Sequence, residues 1–266
     1  MTTPVLTDLP RLGLGVFDMD DETTAGVVCS AIGLGYRLID TAAVYGNERG
    51  VGEGIRRSGI DRNDLFVTTK LWIDRHHDAT VAAQESLDRL GLDQVDLYLV
   101  HWPHSAAGLH REAWAGLVEA QQRGLTRSIG VSHFGATHLD DLAATSDVLP
   151  LVNQIELHPL HSRRADRLDA EARGIRVQSW SPLARGRVLD HPVVRLIADA
   201  HGATPAQVVL QWHLAHGLHV VAKSARVERL AENLAATALE LTAGDMAAID
   251  GLDRGVVVEP AYYQLG

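Results

Sequence analysis

A single cysteine, Cys29, occurs in the 266 residues, so no disulfide can form within the chain. Its neighbours Val27-Val28-Cys29-Ser30-Ala31 read as a buried helix face, which makes the thiol a small core hydrophobe rather than a reactive group. Long apolar runs are also missing. No stretch approaches the roughly 18 uninterrupted apolar residues of a membrane-spanning helix. Met1-Thr2-Thr3-Pro4 lacks the basic-then-apolar order of a secretion signal, and a cytoplasmic address is the default expectation. Basic residues are outnumbered, 24 Lys+Arg against 34 Asp+Glu, for a net charge of −10. A surface of that sign repels phosphate backbones, which argues against nucleic acid as a partner. No low-complexity tract or Pro/Gly/Ser linker interrupts the chain, so residues 1–266 read as one domain.

Several catalytic signatures are absent too. There is no Gly-x-x-x-x-Gly-Lys-Ser/Thr loop and no Gly-x-Ser-x-Gly elbow. Gly50-Val51-Gly52-Glu53-Gly54 is not a dinucleotide fingerprint, because its third glycine is misplaced and no strand precedes it. Fourteen histidines invite a metal reading. The three-residue spacings His101/His104, His158/His161, His213/His216 and His216/His219 come without a His-Glu-x-x-His or a cysteine set. Most of these histidines read as surface or helix-face residues, and no metal is expected.

What is present is an alternation of two textures. Short, often β-branched apolar runs predict strands at Leu12–Val16, Tyr36–Asp40, Leu65–Lys70, Asp96–His101, Ser128–Ser132, Leu151–Gln154, Ile175–Trp180 and His219–Lys223. Stretches of helical period predict helices at Glu22–Leu34, Glu48–Ser58, Thr80–Leu90, Arg111–Arg123, Ala136–Thr145, Ser162–Arg173, Pro192–Ala200, Pro205–His216, Arg226–Thr237 and Ala243–Leu252. Asp78 or Thr80, Ser162 and Thr242 are the candidate caps. Glycines at 33/35, 59, 91, 124, 174 and 217 sit where helices end, and supply the left-handed C-cap conformation. Eight strand–helix units in a chain of this length predict a closed (β/α)8 barrel, a fold of about 250 residues.

A barrel carries its chemistry on the C-terminal ends of its strands. Seven of the eight predicted ends carry a polar, ionisable or indole group: Asp40, Lys70, His101, Ser132, Gln154, Trp180 and Lys223. Tyr45 lies just beyond the second end. Adjacent ends share one rim, so Asp40, Tyr45, Lys70 and His101 can meet. A free tyrosine titrates near pH 10, too high for a useful acid at neutral pH, and a neighbouring ammonium lowers that value. Asp40 would hold Lys70 charged, Lys70 would tune Tyr45, and His101 would polarise a carbonyl oxygen. The competing reading is a structural salt bridge beside a buried tyrosine.

At these residues the chain becomes recognisable. Gly35-Tyr36-Arg37-Leu38-Ile39-Asp40-Thr41-Ala42-Ala43-Val44-Tyr45-Gly46-Asn47-Glu48 resembles the first signature of the aldo-keto reductases. Leu151-Val152-Asn153-Gln154-Ile155-Glu156-Leu157-His158-Pro159 resembles the central one, and Ala222-Lys223-Ser224 with Arg229, Glu232 and Asn233 the last. The likeness runs from about Leu12 to Asp250, and it is greatest to the branch of bacterial 2,5-diketo-D-gluconate reductases. It implies NADPH-dependent reduction of aldehydes and ketones, α-dicarbonyls and keto-sugars among them. Hydride comes from the nicotinamide and the proton from Tyr45. It also implies a monomer acting on a small molecule.

Carried over, Ser132, His133 and Gln154 would hold the carboxamide, with Trp180 stacked on the nicotinamide. Ser181-Pro182-Leu183 would meet the pyrophosphate. Lys223, Ser224, Arg226 and Arg229 would surround the 2′-phosphate, with Glu232 and Asn233 on the adenine. Three cations at a helix start are locally unfavourable unless an anion binds there, which favours NADP(H) over NAD(H) on physical grounds as well. His133 stands where the family usually has asparagine, and it cannot copy both polar ends of an amide. The N-terminal hairpin segment Val5–Leu9, the loop Pro103–Leu109 and the tail ending Tyr262-Tyr263-Gln264-Leu265-Gly266 are short, which implies an open site. Phe17, Trp72 and Trp102 are its candidate apolar walls. The same residues also serve alcohol oxidation in reverse. An NADPH-sensing barrel with little turnover is a further alternative, though a pure sensor need not keep a complete proton-donor set.

Overall fold

The computed structural model describes residues 9–105 and 107–260. Residues 5–8 of the expected hairpin, Ala106 of the loop after His101, and the Tyr262–Gly266 tail lie outside them. Eight parallel strands close on themselves in sequential order: β1 (Leu12–Gly15), β2 (Leu38–Asp40), β3 (Phe66–Leu71), β4 (Val95–Val100), β5 (Thr126–Ser132), β6 (Val152–Glu156), β7 (Arg176–Trp180) and β8 (His219–Lys223). Among the described residues ten α-helices surround them: α1 (Asp21–Leu34), α2 (Glu48–Ser58), α3 (Ala79–Leu90), α4 (His110–Gln122), α5 (Ala136–Thr145), α6 (Arg164–Ala172), α7 (Pro192–His201), α8 (Pro205–Ala215), α9 (Val227–Ala235) and α10 (Ala243–Asp250). The expected (β/α)8 barrel is what the chain forms, with element ends displaced by only a few residues.

The period of two along each strand divides the core. Leu38 and Asp40 share one face of β2, while Ile39 between them joins the larger cluster under the helices. The inward face is apolar at its N-terminal end, where Leu9, Leu38, Phe66, Leu97, Leu99 and Val152 form a separate cluster. Toward the C-terminal end the barrel strands carry Asp40, Lys70, Gln154 and Gln178, all buried. The barrel is therefore plugged with hydrocarbon below and lined with polar groups above. The plug needs Gly13, because a Cβ there would come within 2.5 Å of the Leu38 side chain.

The Gly50–Gly54 run turns out to serve packing. Helix α2 is wedged between α1 and α3, and a Cβ on Gly52 would lie 1.9 Å from the Leu90 carbonyl oxygen. This close fit holds α2 directly behind the loop that carries Tyr45.

Several local expectations need correction. Cys29 is half-exposed rather than buried. Ser162 does not cap α6: its hydroxyl donates to Asp253, and Arg163 occupies the cap position with its side chain turned to Asp166 rather than to the helix end. Asp78 stands at the start of α3, but its carboxylate is taken by Arg75, while Thr80 donates to the Gly116 carbonyl. Thr242 caps α10 as expected. Gly35, Gly59, Gly91, Gly124, Gly174 and Gly217 all have positive φ. Most histidines are at least part-exposed as expected, but besides His101 five are buried: His76, His110, His158, His213 and His219. His213 spends both ring nitrogens on backbone carbonyls of Val209 and Leu157, a structural use that spacing does not reveal. Among the described residues no group of three or more potential ligands is arranged to hold a metal.

Candidate active site

The loop after β2 brings Tyr45 over the polar end of the barrel. A short 3-10 turn, Ala43–Tyr45, ends at Gly46, whose left-handed conformation reverses the chain. Asn47 then locks the loop. Its amide donates to the Val16 and Met19 carbonyls at 2.7 and 3.1 Å and accepts from the Thr41 hydroxyl at 2.8 Å. Glu48, fully buried, accepts from Thr69 at 2.6 Å and pairs with Arg89. Neither residue was expected at the site. Their signal was a polar pair following Tyr45-Gly46 in a chain segment otherwise destined for burial.

Lys70 is completely buried, and its ammonium spends all three donors. One goes to Asp40 Oδ1 at 2.5 Å, one to the Thr41 carbonyl at 2.9 Å, and one to the Tyr45 hydroxyl at 3.5 Å. Burial pushes the ammonium toward neutrality, but Asp40 and then Tyr45 outweigh it and hold the lysine above its ordinary value. It remains a cation at neutral pH. The other oxygen of Asp40 accepts from Gln154 Nε2 at 2.8 Å.

His101 follows the end of β4 and faces Tyr45 edge-on, with ring centroids 5.7 Å apart. Burial, and then the Lys70 charge, depress its basicity well below the ordinary histidine value, so the imidazole is neutral. Phe17 lies 5.1 Å from the Tyr45 ring on one side, and Trp72 lies 5.1 Å from the His101 ring on the other. These two expected walls do flank the cluster. Trp102 is different: its indole is buried and stacks face to face on His133 at 3.4 Å, so it backs His133 rather than forming an open wall. His133 has φ of 63° and its ring lies 5.1 Å from that of Trp180.

The remaining expected residues lie on the same rim. Ser132 donates its hydroxyl to the Gln154 carbonyl at 2.8 Å. Ser181 adopts a left-handed conformation and opens the turn through Pro182 and Leu183. Beyond β8, Ser224 Oγ accepts from Arg226 N–H at 3.1 Å and shapes the entry to α9. Lys223, Arg226 and Arg229 are all exposed there, and Arg226 gives the helix no side-chain cap. Among the described residues neither Lys223 nor Arg229 has a carboxylate within ion-pair distance. Glu232 accepts from Thr204 at 2.6 Å, which ties it to the start of α8, and Asn233 is buried.

A cavity of about 650 Å³ opens at the other end of the barrel, lined by Arg167, Arg176, His216 and His219 among others. It contains none of the clustered groups. At the C-terminal rim, by contrast, a charged lysine, a hydroxyl and a neutral imidazole converge.

Residues 11–254 match the model of the Aldo/keto reductase family. The chain is 48% identical to an aldo-keto reductase of Mycolicibacterium vanbaalenii over 97% of this chain and 94% of that one. It is 44% identical to methylglyoxal reductase DkgA of Escherichia coli, again over 97% and 94%. A crystal structure of a Gox0644 variant in complex with NADPH superposes with a TM-score of 0.88 at 46% identity, covering 92% of this chain and 90% of that one.

Proposed function

Because this chain belongs to the aldo/keto reductase family, we propose that it reduces small aldehydes and α-dicarbonyls with NADPH, and that Tyr45 is the proton donor. The observation that carries this reading is the Lys70 ammonium, buried and charged, with the Tyr45 hydroxyl as one of its three partners. A phenol beside a fixed cation ionises more readily, so it gives up a proton at lower cost. Asp40 keeps the cation in place.

The rim suits the cofactor. Three exposed cations surround a helix start that no side chain caps, an arrangement that favours a bound phosphate. Lys223, Ser224, Arg226 and Arg229 would hold the 2′-phosphate, with Asn233 and Glu232 beside the adenine. Ser181, Pro182 and Leu183 would meet the pyrophosphate, and Trp180 the nicotinamide. Ser132, His133 and Gln154 would take the carboxamide. With both N–H groups of Gln154 committed, its carbonyl oxygen is what it has to offer. NADPH, when bound, supplies the hydride. The chain's own part is to hold the carbonyl oxygen between Tyr45 and His101. His101, being neutral, can offer an N–H to that oxygen, and Tyr45 then hands over its proton as negative charge develops.

Phe17 and Trp72 leave an aromatic-sided approach to Tyr45, which fits compact carbonyls. The name of the Escherichia coli relative, a methylglyoxal reductase, points to α-dicarbonyls as the class to try first. The test is NADPH oxidation with aldehydes, α-dicarbonyls and keto-sugars, comparing wild type with Tyr45→Phe. Wild type should turn over, and Tyr45→Phe should lose about 100-fold or more while still binding NADPH. NADPH binding without turnover of any carbonyl would defeat the enzymatic reading. Equal turnover by both proteins would show that Tyr45 is not the donor.

A further inference from the structure

We infer that Gln178 is a positioning residue of this site, which orients the Gln154 amide and through it the second oxygen of Asp40. The inference rests on Tyr45 acting as the proton donor.

Gln178 of β7 and Gln154 of β6 are register partners, and both side chains are buried in the barrel. Gln154 Nε2 donates to Gln178 Oε1 at 2.6 Å and to Asp40 Oδ2 at 2.8 Å. An amide nitrogen has two hydrogens, so both are spent. The orientation is dictated by charge. An ionised Asp40 only accepts, so turning Gln154 over would press its carbonyl against the carboxylate. Turning Gln178 over would set one NH2 against another.

The other end of the Gln178 amide makes no such bond. Its Nε2 is buried with no partner among the described residues. A residue kept for packing alone would not carry an amide whose donor end is wasted. Among the described residues the single side-chain hydrogen bond of Gln178 is the one that it accepts from Gln154.

The consequence reaches Tyr45 in three steps. The Gln154 N–H draws charge from Asp40, which weakens the hold of Asp40 on Lys70. That leaves more of the ammonium's field on the Tyr45 oxygen. Without Gln178 the Gln154 amide is free to rotate, Asp40 binds Lys70 harder, and Tyr45 ionises at higher pH. Reduction needs the protonated phenol, so its alkaline limb should move up.

The experiment compares wild type with Gln178→Met, which keeps the volume and offers only a weakly accepting thioether, and with Gln154→Met, which removes the N–H from Asp40 outright. The pH dependence of kcat/KM is read for one good carbonyl, alongside the NADPH dissociation constant and a thermal melt. Gln178→Met should lower kcat about tenfold, change the carbonyl KM by less than about twofold, and move the alkaline limb up. Gln154→Met should move the limb in the same direction and at least as far. An unmoved limb in folded Gln178→Met, or limbs that move in opposite directions in the two variants, would overturn the inference. Should Gln178→Met not fold, Gln154→Met removes the same N–H from Asp40 and must move the limb in the same direction. A wild type that reduces no carbonyl would sink the Tyr45 reading along with this one. An unmoved limb in an active enzyme that still depends on Tyr45 sinks only the role of Gln178.

Discussion

Gln154 Nε2 lies 2.8 Å from Asp40 Oδ2, although 114 positions separate the two residues and the bond crosses the barrel from β6 to β2. Asp40 is therefore held at both oxygens, by Lys70 from the neighbouring strand and by an amide from the far wall. A carboxylate bound at both oxygens cannot swing, and the lysine it holds cannot leave Tyr45. The predictions below follow from groups held in this way.

Lys70→Met should strip the buried Asp40 carboxylate of its counter-charge, at a cost of roughly 3–5 kcal/mol, and abolish turnover. Adding Asp40→Leu to that variant should restore much of the stability and none of the activity. Urea midpoints and kcat for the single and double variants check this. Recovery of activity in the double variant would show that the pair is structural only.

The chain contains only two lysines, Lys70 and Lys223, and both lie toward the C-terminal ends of their strands. Lys70 is inaccessible and Lys223 is exposed. An amine-reactive reagent should modify Lys223 and spare Lys70, as peptide mass mapping would show. NADPH should protect Lys223, and NADH, which lacks the 2′-phosphate, should protect it far less. Equal protection by the two cofactors would remove the phosphate role from Lys223.

Acid should destabilise the fold between about pH 6.5 and pH 4. Burial pushes His76, His213 and His219 down to about 4, and it depresses His101 and His133 well below the ordinary value. Each stays neutral in the folded chain while the unfolded chain takes up a proton. Stability is therefore complete above the unfolded value and falls with pH, by about 1.4 kcal/mol per unit for each extra proton that the unfolded state binds. Urea midpoints measured across that window read the slope. His76→Leu, which removes an imidazole with neither nitrogen bonded among the described residues, should make the slope shallower. A flat profile would show that these histidines titrate normally in the fold.

Much of this was legible in the chain before any coordinates. The alternation of short β-branched runs with helical stretches predicted the barrel, and the polar strand ends predicted the rim. Asp40, Tyr45, Lys70 and His101 do converge, because neighbouring parallel strands end at one level. What sequence could not show were bonds across the barrel. Gln154 pairs with a carboxylate on the far side, and nothing local to either residue signals it. Gln178 was passed over because it lies two residues inside the end of its strand. The buried histidines were misread for a related reason: a helix-face spacing says nothing about which face is covered. Ser162 looked like a helix cap, and tertiary contact with Asp253 claimed its hydroxyl instead.

Gly52→Ala should be strongly destabilising despite its mildness on paper. Its methyl would meet the Leu90 carbonyl, which is backbone and cannot step aside. Overpacking of this kind typically costs about 1–3 kcal/mol. Because α2 stands behind the Tyr45 loop, kcat should fall as well. A thermal melt and a turnover assay check both parts, and an unchanged melting temperature would show that α2 has room to move.

His133→Asn should tighten NADPH binding. Asparagine tolerates the left-handed backbone at this position and offers both polar ends of an amide to a carboxamide. The loss is the stack on Trp102. Fluorescence titration measures the dissociation constant, and an unchanged or weaker value would reject the idea.

The bond from Gln154 to Asp40 has one more consequence. Tyr45, Lys70 and His101 lie on or just after the first four strands, whereas Gln154 and Gln178 belong to the last four. Neither half of the chain owns a finished site. If the two halves were expressed as separate polypeptides, each would be inert alone. Catalysis would return only when they reassemble, so turnover would act as a reporter of barrel closure.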